Sequence, residues 1–573
     1  MKYKIRPHIR STIFFSLFLI SILSFAFTKS DVYRELARSQ RLINEVYKSL
    51  ITRYADRLDT EKFTKIVINN ILDDLDPYTV YMEEDEKEGL DLLTKGKYGG
   101  VGINLGVREK KLTVISPMDN SPAKRKGVIS GDIIVKIDGL LTKEMSLDDA
   151  AKHIRGPKGT DVTLSIKRFG DDKLIDFILT RDDITVKDVA YTGMLEGDIG
   201  YIRLTRFSKN SGPEMRSAIK NLESEDASRI IIDLRDNPGG LLQSAIEILD
   251  MILPKGSNLL STKGRLPESN KQYVSRKDPM LDEDIKIAIL INEGSASASE
   301  IIAGAVQDLD RGVIVGSRSF GKGLVQSVYG LDGSGKRNLK VTTAKYYIPS
   351  GRLIQKPGYI KDDVILNEDK EDTLFYTIGG RKVKGGGGIS PDYEVKMPKA
   401  TPLVLECWRK GLFFNFAQER QHRYDSYEDA LVDVTILDDF KSYIQDQDLD
   451  VSTEGEKELE KARKKILSLD STNMDLTHAF DFVETFIIDR EATLYDEEVD
   501  LIKRRLFLEM VGIMKGSEFR VKESIKDDPI VMKAKEILQD PIAYTSSFIP
   551  DEGTDTISTV SYTHLTLPTI YSV

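Results

Sequence analysis

The sequence predicts a multidomain α/β protein: a central layer of partly parallel strands, preceded by a β-rich insert and bracketed by helices. Three observations carry this. From Ile199 to about Pro398, the apolar runs IGYIRL, RIIIDLR, KIAILIN and GVIVG alternate with helical runs at 214–222, 241–253 and 296–309, the rhythm of strand–helix–strand units. Between about 88 and 182 the texture changes to short β runs (LTVIS, DIIVKIDG, DVTLSIKR) broken by Gly and Pro, with one helix at 146–154. Before and after these segments the apolar spacing is helical. At 573 residues the chain also exceeds one core, and divides into three or four domains at roughly 150 residues each.

Taken in order, residues 1–30 open with Lys2, Lys4, Arg6 and Arg10 and continue into an apolar run of 15 residues from Ile13 to Phe27. That is a basic n-region and an h-region shorter than a spanning helix of about 20 residues. The segment reads as an export signal to the periplasm or cell envelope. An uncleaved membrane anchor is the alternative, because SFAFTKS offers no small-x-small cleavage site. Residues 31–87 form a small helical domain, with Leu42, Ile43, Val46, Tyr47, Leu50 and Ile51 at helical spacing and a second run at 63–75 ending before Asp76-Pro77. Residues 88–182 are the β-rich insert and 183–398 the α/β layer. Residues 399–560 are charged and helical, at 448–467 and 492–511 among others, and carry no catalytic pattern. They are expected to form a platform that contacts a second copy or an adaptor. The final stretch 561–573, SYTHLTLPTIYSV, shares neither the charge texture nor the periodicity before it, resembles translated adapter sequence, and is excluded from the fold reasoning.

Composition narrows the function. A hydrophobic fraction of 40% and a charged fraction of 30% are those of soluble domains, and a net charge of −10 leaves no basic surface for nucleic acid. The single cysteine, Cys407, permits no internal disulfide. No HExxH pattern and no dinucleotide fingerprint occurs, so neither a metal nor a cofactor is expected.

The stretch EGSASASEIIAGAVQD, residues 293–308, places three serines at alternate positions in a turn between the strand KIAILIN and a helix. Backbone N–H groups point outward at such a junction, so it can expose a nucleophile beside an oxyanion site. Ser299 also suits a helix cap, but capping explains one serine and not three. A nucleophile needs a base. The histidines are His8, His153, His422, His478 and His564, none of them in the α/β layer, which argues against a Ser-His-Asp triad. Lys322, in SRSFGKGLVQ after the strand GVIVG, is the alternative. A lysine held in an apolar, glycine-lined site loses hydration of its ammonium form and accepts a serine proton more readily. Gly316 to Lys322 also spells G-x-x-x-x-G-K, but Gly323 replaces the Ser or Thr of a phosphate-binding loop and LVQSVYG reads as a strand. The third element, IIIDLRDNPGGLL at 230–242, ends a buried strand in two glycines, and the Gly240 amide can face the neighbouring strand end.

GSASASEIIAGAVQD, FGKGLVQ, DLRDNPGG and TAKYYIPSGRLIQ together resemble the C-terminal processing peptidases, or tail-specific proteases, over roughly residues 33–398. The resemblance implies a crotonase-like, Clp-protease-like α/β protease core. It implies Ser297 as nucleophile, Lys322 as general base, Gln326 as the group that orients the lysine, and the amides of Gly240 and Ala298 as the oxyanion hole. It also implies that the insert is a PDZ domain. KGKYGGVGINL supports this: Tyr98, Gly99, Gly100, Val101, Gly102 and Ile103 can turn amides toward a free carboxylate, and the following strand edge can pair with an extended tail. Lys95 or Lys97 could add charge there, the helix SLDDAAKHI would form the other groove wall, and Arg155 is a candidate contact to the protease core. The expected partners are therefore proteins or peptides with free C-termini. A PDZ scaffold with an inactive core is the alternative, which intact Ser297, Lys322 and Gln326 oppose. An acyl-CoA enzyme on the same fold is opposed by the insert and the export segment.

Overall fold

The computed structural model of the chain describes residues 33–83, 94, 96–108, 110–171, 173–333, 335–359, 374–397, 400–447, 449–468 and 474–550. The export segment, the first residues of the insert, Lys95 and the 561–573 tail lie outside the described residues. Among the described residues no helix is long and apolar enough to cross a membrane. The N-terminal unit consists of helices at 33–53 and Thr60–Asp73. Asp59 caps the second, accepting from the amides of Glu61 and Lys62, and Tyr47 bonds Thr64 across the pair at 2.7 Å.

The α/β layer is a six-stranded sheet in the order Val189–Met194, Ile199–Leu204, Arg229–Asp233, Lys286–Ile291, Val313–Gly316, Tyr393–Glu394. Only the first pairing is antiparallel; the rest are parallel. Parallel strands are covered on both faces, which is why RIIID and KIAILI are continuously apolar rather than alternating. One face is covered by helices Ser211–Ser224, Leu242–Ile252 and Ala298–Asp308, through Ile219, Leu222, Ile248, Leu249, Ile301 and Ile302. The other is covered by the C-terminal helix Pro529–Gln539, whose Ile530, Val531, Ala534, Ile537 and Leu538 pack on Tyr201, Ile231, Ala288, Leu290 and Val313. Each fully buried aliphatic side chain there contributes about 1.5–3 kcal/mol. The charged C-terminal region thus supplies a layer of the α/β core as well as helices of its own. Beside the main sheet, Leu324–Gly330 and Asn338–Tyr347 form an antiparallel hairpin, and Asn258–Lys263 pairs with the second of these strands and with Lys271–Val274.

The insert is an antiparallel sheet in the order Ile103–Arg108, Lys111–Pro117, Ile133–Ile137, Asp161–Lys167, Ile175–Thr180. Helix Leu147–Ile154 starts with a reciprocal Ser146–Asp149 capping box and buries Ala150 and Ile154 against that sheet. Ile103–Arg108 is an edge strand, paired only with Lys111–Pro117 among the described residues, and the helix packs beside it.

The remaining C-terminal helices surround an aromatic centre: Phe440 stacks on Phe413 at 5.1 Å and meets Phe416 edge-on at 5.2 Å. Cys407 is buried beside it, and burial pushes its thiol up to about 12. Helix Leu412–Arg420 lies directly against the insert, with the Arg108 guanidinium 6.0 Å from the Phe414 ring and Gln418 filling the space over Gly131.

Candidate active site

The three alternating serines have different fates. Ser295 is fully buried, and its hydroxyl donates to the Leu234 carbonyl at 2.8 Å while accepting from the Asn292 amide at 3.0 Å. Ser299 is equally buried and donates to the Asn237 carbonyl at 2.9 Å. Both tie the turn to the neighbouring DLRDNPGG segment. Ser297, between them, is only partly buried. It sits immediately before helix Ala298–Asp308 with φ 54° and ψ −109°, a conformation that L-residues rarely adopt. Such strain costs on the order of 1–3 kcal/mol and persists only where the surroundings enforce it.

Two groups enforce it, and both also hold Lys322. The Glu300 carboxylate, fully buried, accepts from the Ser297 amide at 2.8 Å and from the Lys322 amide at 2.9 Å through the same oxygen. Its other oxygen accepts from the Gly321 amide at 2.7 Å and the Ser319 hydroxyl at 2.6 Å. The Tyr346 hydroxyl lies 2.6 Å from the Lys322 carbonyl and 3.1 Å from the Ser297 carbonyl. Serine turn and lysine loop are therefore clamped together on both sides. Burial pushes the Glu300 carboxyl above its ordinary value, opposed by the hydrogen bonds from Ser319, Lys322, Gly321 and Ser297. At the far end of the same helix, Arg352, 1% exposed, holds Asp308 at 2.8 Å and Gln307 at 2.7 Å.

The third loop closes the site. Gly239 adopts φ 92°, and a Cβ there would come within 2.9 Å of both the Ala298 nitrogen and the Ser297 Cβ. A Cβ at Gly240 would collide with the Phe207 carbonyl. Only glycines let this loop lie so close to the serine turn. Among the described residues no acceptor takes the amides of Gly240 or Ala298. Gln326 lies at a β-bulge of its hairpin and donates to the Thr342 hydroxyl at 3.2 Å. Lys322 leads into strand Leu324–Gly330 and not into a helix, as a phosphate-binding loop would require.

The loop is also anchored from behind. Asp233, fully buried at the end of its strand, accepts from the Tyr201 hydroxyl at 2.6 Å, from Arg203 at 2.8 Å and from Arg235 at 2.6 Å. Burial alone would raise its carboxyl, but the Arg235 and Arg203 charges hold it well below the ordinary range. A carboxyl with a lowered folded value stabilises the protein above its unfolded value of about 4, and that stability is lost as pH falls through the folded value. The stability gap between wild type and Asp233→Asn in urea unfolding should hold steady from about pH 7 to 5 and shrink only in stronger acid. A gap that grows on acidification would contradict the assignment.

In the insert, Tyr98, Gly99 and Gly100 lie in a ribbon, Lys97–Gly100 against Asp182–Thr185, so only Val101 and Gly102 turn before Ile103. The carbonyls of Val101 and Gly102 are taken by the amides of Ala123 at 3.0 Å and Met118 at 2.9 Å. Gly102, at φ 72°, lies against the Ser121 Cβ, where no side chain fits. Arg155 stands over the Tyr98 ring at 5.1 Å, and the core reaches the insert through Asn210, which donates to the Gly96 carbonyl at 3.1 Å. Lys97 pairs with Asp183 at 2.8 Å. No role is assigned to Glu300, Tyr346 or Asn237 from the sequence, although Glu300 stands three residues after Ser297 and the other two lie in TAKYYIPSGRLIQ and DLRDNPGG.

Comparison with known proteins assigns the same parts. Peptidase family S41 matches residues 198–366, a PDZ domain 113–168, and "Probable PDZ-protease, C-terminal helical domain" 404–538. The class is thus a serine peptidase carrying a PDZ domain and a C-terminal helical domain. A "Carboxy-terminal-processing protease" of Bartonella bacilliformis is 39% identical over 363 residues, covering 62% of this chain and 81% of that protein. A "Probable CtpA-like serine protease" of Staphylococcus epidermidis is 34% identical over 359 residues, covering 62% and 71%. Among solved structures, a photosystem II D1 C-terminal processing protease is 26% identical, with a TM-score of 0.34 over 63% of this chain and 88% of that one. The chain belongs to the carboxy-terminal-processing proteases of peptidase family S41.

Proposed function

We propose that this peptidase is exported, takes protein substrates by their C-terminal tails on its PDZ domain, and hydrolyses peptide bonds with Ser297 and Lys322. The observation that supports the reading is the double clamp of Glu300 and Tyr346, which joins the Ser297 and Lys322 backbones, with the glycine loop packed against the serine turn and no acceptor among the described residues for the amides of Gly240 and Ala298. Neutral Lys322 takes the Ser297 proton as the hydroxyl oxygen attacks the carbonyl carbon, and the amides of Gly240 and Ala298 stabilise the oxyanion. The lysine then gives the proton to the leaving amine, and water releases the acyl group by the same route. Gln326 orients the lysine in this scheme. Because the neutral lysine is the base, the rate should rise with pH toward a plateau and be indifferent to chelators; inhibition by EDTA that zinc reverses would overturn the mechanism.

The tail is read by the turn at Val101–Gly102 and by the open edge of Ile103–Arg108, where an extended peptide adds as a further strand beside helix Leu147–Ile154. A carboxylate accepts hydrogen bonds worth about 1.5–3 kcal/mol against about 1 for a neutral acceptor. A peptide amidated at its C-terminus should therefore be cut about threefold or more slowly, well below saturation, than the same peptide with a free carboxylate. Equal rates would remove the PDZ turn from recognition, and no cleavage beyond that of Ser297→Ala would leave a scaffold with an inactive core.

A further inference from the structure

We propose that the C-terminal helix Pro529–Gln539 positions the active site through the residue that caps it: Asp528 holds Arg235, and Arg235 holds the loop bearing Gly240. The proposal rests on the reading of Gly240 as an oxyanion donor. Arg235 is only 8% exposed, and its guanidinium is shared between two carboxylates, with Asp233 at 2.6 Å and Asp528 at 2.8 and 3.0 Å. Asp233 serves Arg203 as well, at 2.8 Å. Two guanidinium groups thus share one fully buried carboxylate. The other acid in reach, Asp236, is 3.5 Å from Arg203 and largely exposed. Without Asp528 the pocket behind the loop holds an uncompensated positive charge, which low-dielectric surroundings tolerate poorly.

The charge pocket continues directly into the loop. The Arg235 amide donates to Asp233 at 2.9 Å. Asp236 follows at φ 58°, its amide bound to the Asn292 side chain at 2.9 Å. Asn237, fully buried, offers its carbonyl to the Ala296 amide at 3.0 Å and to Ser299 at 2.9 Å. Gly239 and Gly240 come next, so a shift of Arg235 is transmitted along a backbone with little freedom to absorb it.

Asp528 does two jobs at once. It accepts from the amides of Ile530 at 2.9 Å and Val531 at 3.2 Å, capping the helix, while it neutralises Arg235. At the other end, the Leu538 carbonyl accepts from Arg229 at 2.9 Å. Arg229 begins the strand that Asp233 ends, so the helix, which lies across the back of the sheet, is tied at its two ends to the two ends of this one strand. Docking of the helix and neutralisation of the site-side arginine are the same event.

The full-length Asp528→Asn protein tests this, since asparagine caps a helix about as well as aspartate, and what is lost is the charge together with the second oxygen that accepts from Arg235. On a peptide with a free C-terminus, kcat should fall at least about tenfold, a share of the ~10²–10³ that one oxyanion donor supplies, with KM within about twofold. Amides of residues 234–241 should exchange hydrogen faster while the PDZ strands are unchanged, and Asp528→Glu should recover part of the rate. The double variant Arg235→Gln/Asp528→Asn should be no slower than the worse single variant, because both break one contact. Wild-type kcat and exchange in Asp528→Asn, or additive losses in the double variant, would overturn the proposal. If the wild-type protein cuts no peptide, the reading of the site fails, and the exchange of residues 234–241 still decides whether Asp528 holds the loop.

Discussion

Ser297→Ala should lower peptide cleavage by about 10⁴-fold or more, the scale on which loss of a serine nucleophile is felt, with unfolding in urea unchanged. The neighbours discriminate the choice of serine. Ser295 and Ser299 are buried and bonded to the Leu234 and Asn237 carbonyls, so alanine there should cost stability, about 1 kcal/mol each, and only part of the rate. Ser297 carries no such tie to the neighbouring strand end, and its removal also relieves nothing in the backbone, since φ 54° persists. Assays of the three alanine variants beside urea melts suffice. A Ser297→Ala protein with wild-type turnover, next to an inactive Ser295→Ala or Ser299→Ala, would move the nucleophile.

Glu300→Ala is expected to cost both stability and rate, by a different route. It leaves the amides of Ser297, Gly321 and Lys322 and the Ser319 hydroxyl without their acceptor in a buried site. Unmet buried donors cost about 1–3 kcal/mol each, so a total loss of ~3 kcal/mol or more of stability is expected after relaxation. The Ser297 turn then relaxes from its strained angle, and a displacement of the nucleophile by about 1 Å costs on the order of 10²-fold in rate. Glu300→Gln keeps one acceptor oxygen and should fall between. Wild-type stability and turnover in Glu300→Ala would show that the clamp is not what holds the site.

The α/β layer and the insert were legible because their signals are local. Parallel strands read as continuous apolar runs, and the glycines of DLRDNPGG and FGKG mark strand ends. The C-terminal helix was legible as a helix, but nothing in Ile530, Val531, Ala534, Ile537 and Leu538 says whether that apolar face meets a second copy, an adaptor or the back of the core sheet. That depends on pairings such as Arg235 with Asp528, 293 residues apart in the chain. Among the serines, alternation indicates that one hydroxyl differs in environment from its two neighbours, while the strained backbone at Ser297 arises only once Glu300 and Tyr346 close on it. The glycines of Tyr98 to Gly100 suggest a turn, yet pairing with Asp182–Thr185 outweighs that preference.

A hydrolase that digests proteins must pass through its own synthesis without digesting itself or its neighbours. Glu300 bears on this. Its two oxygens join the serine turn to a lysine loop that comes a strand later, and the tyrosine that completes the clamp arrives later still, on the second strand of the Leu324–Gly330 hairpin. Until that hairpin has docked, Tyr346 does not join the Ser297 and Lys322 carbonyls, and the clamp is incomplete. In the proposed mechanism a nascent or partly unfolded chain therefore lacks the assembled site, and competence requires that the hairpin be docked, so the fold itself acts as a safety catch.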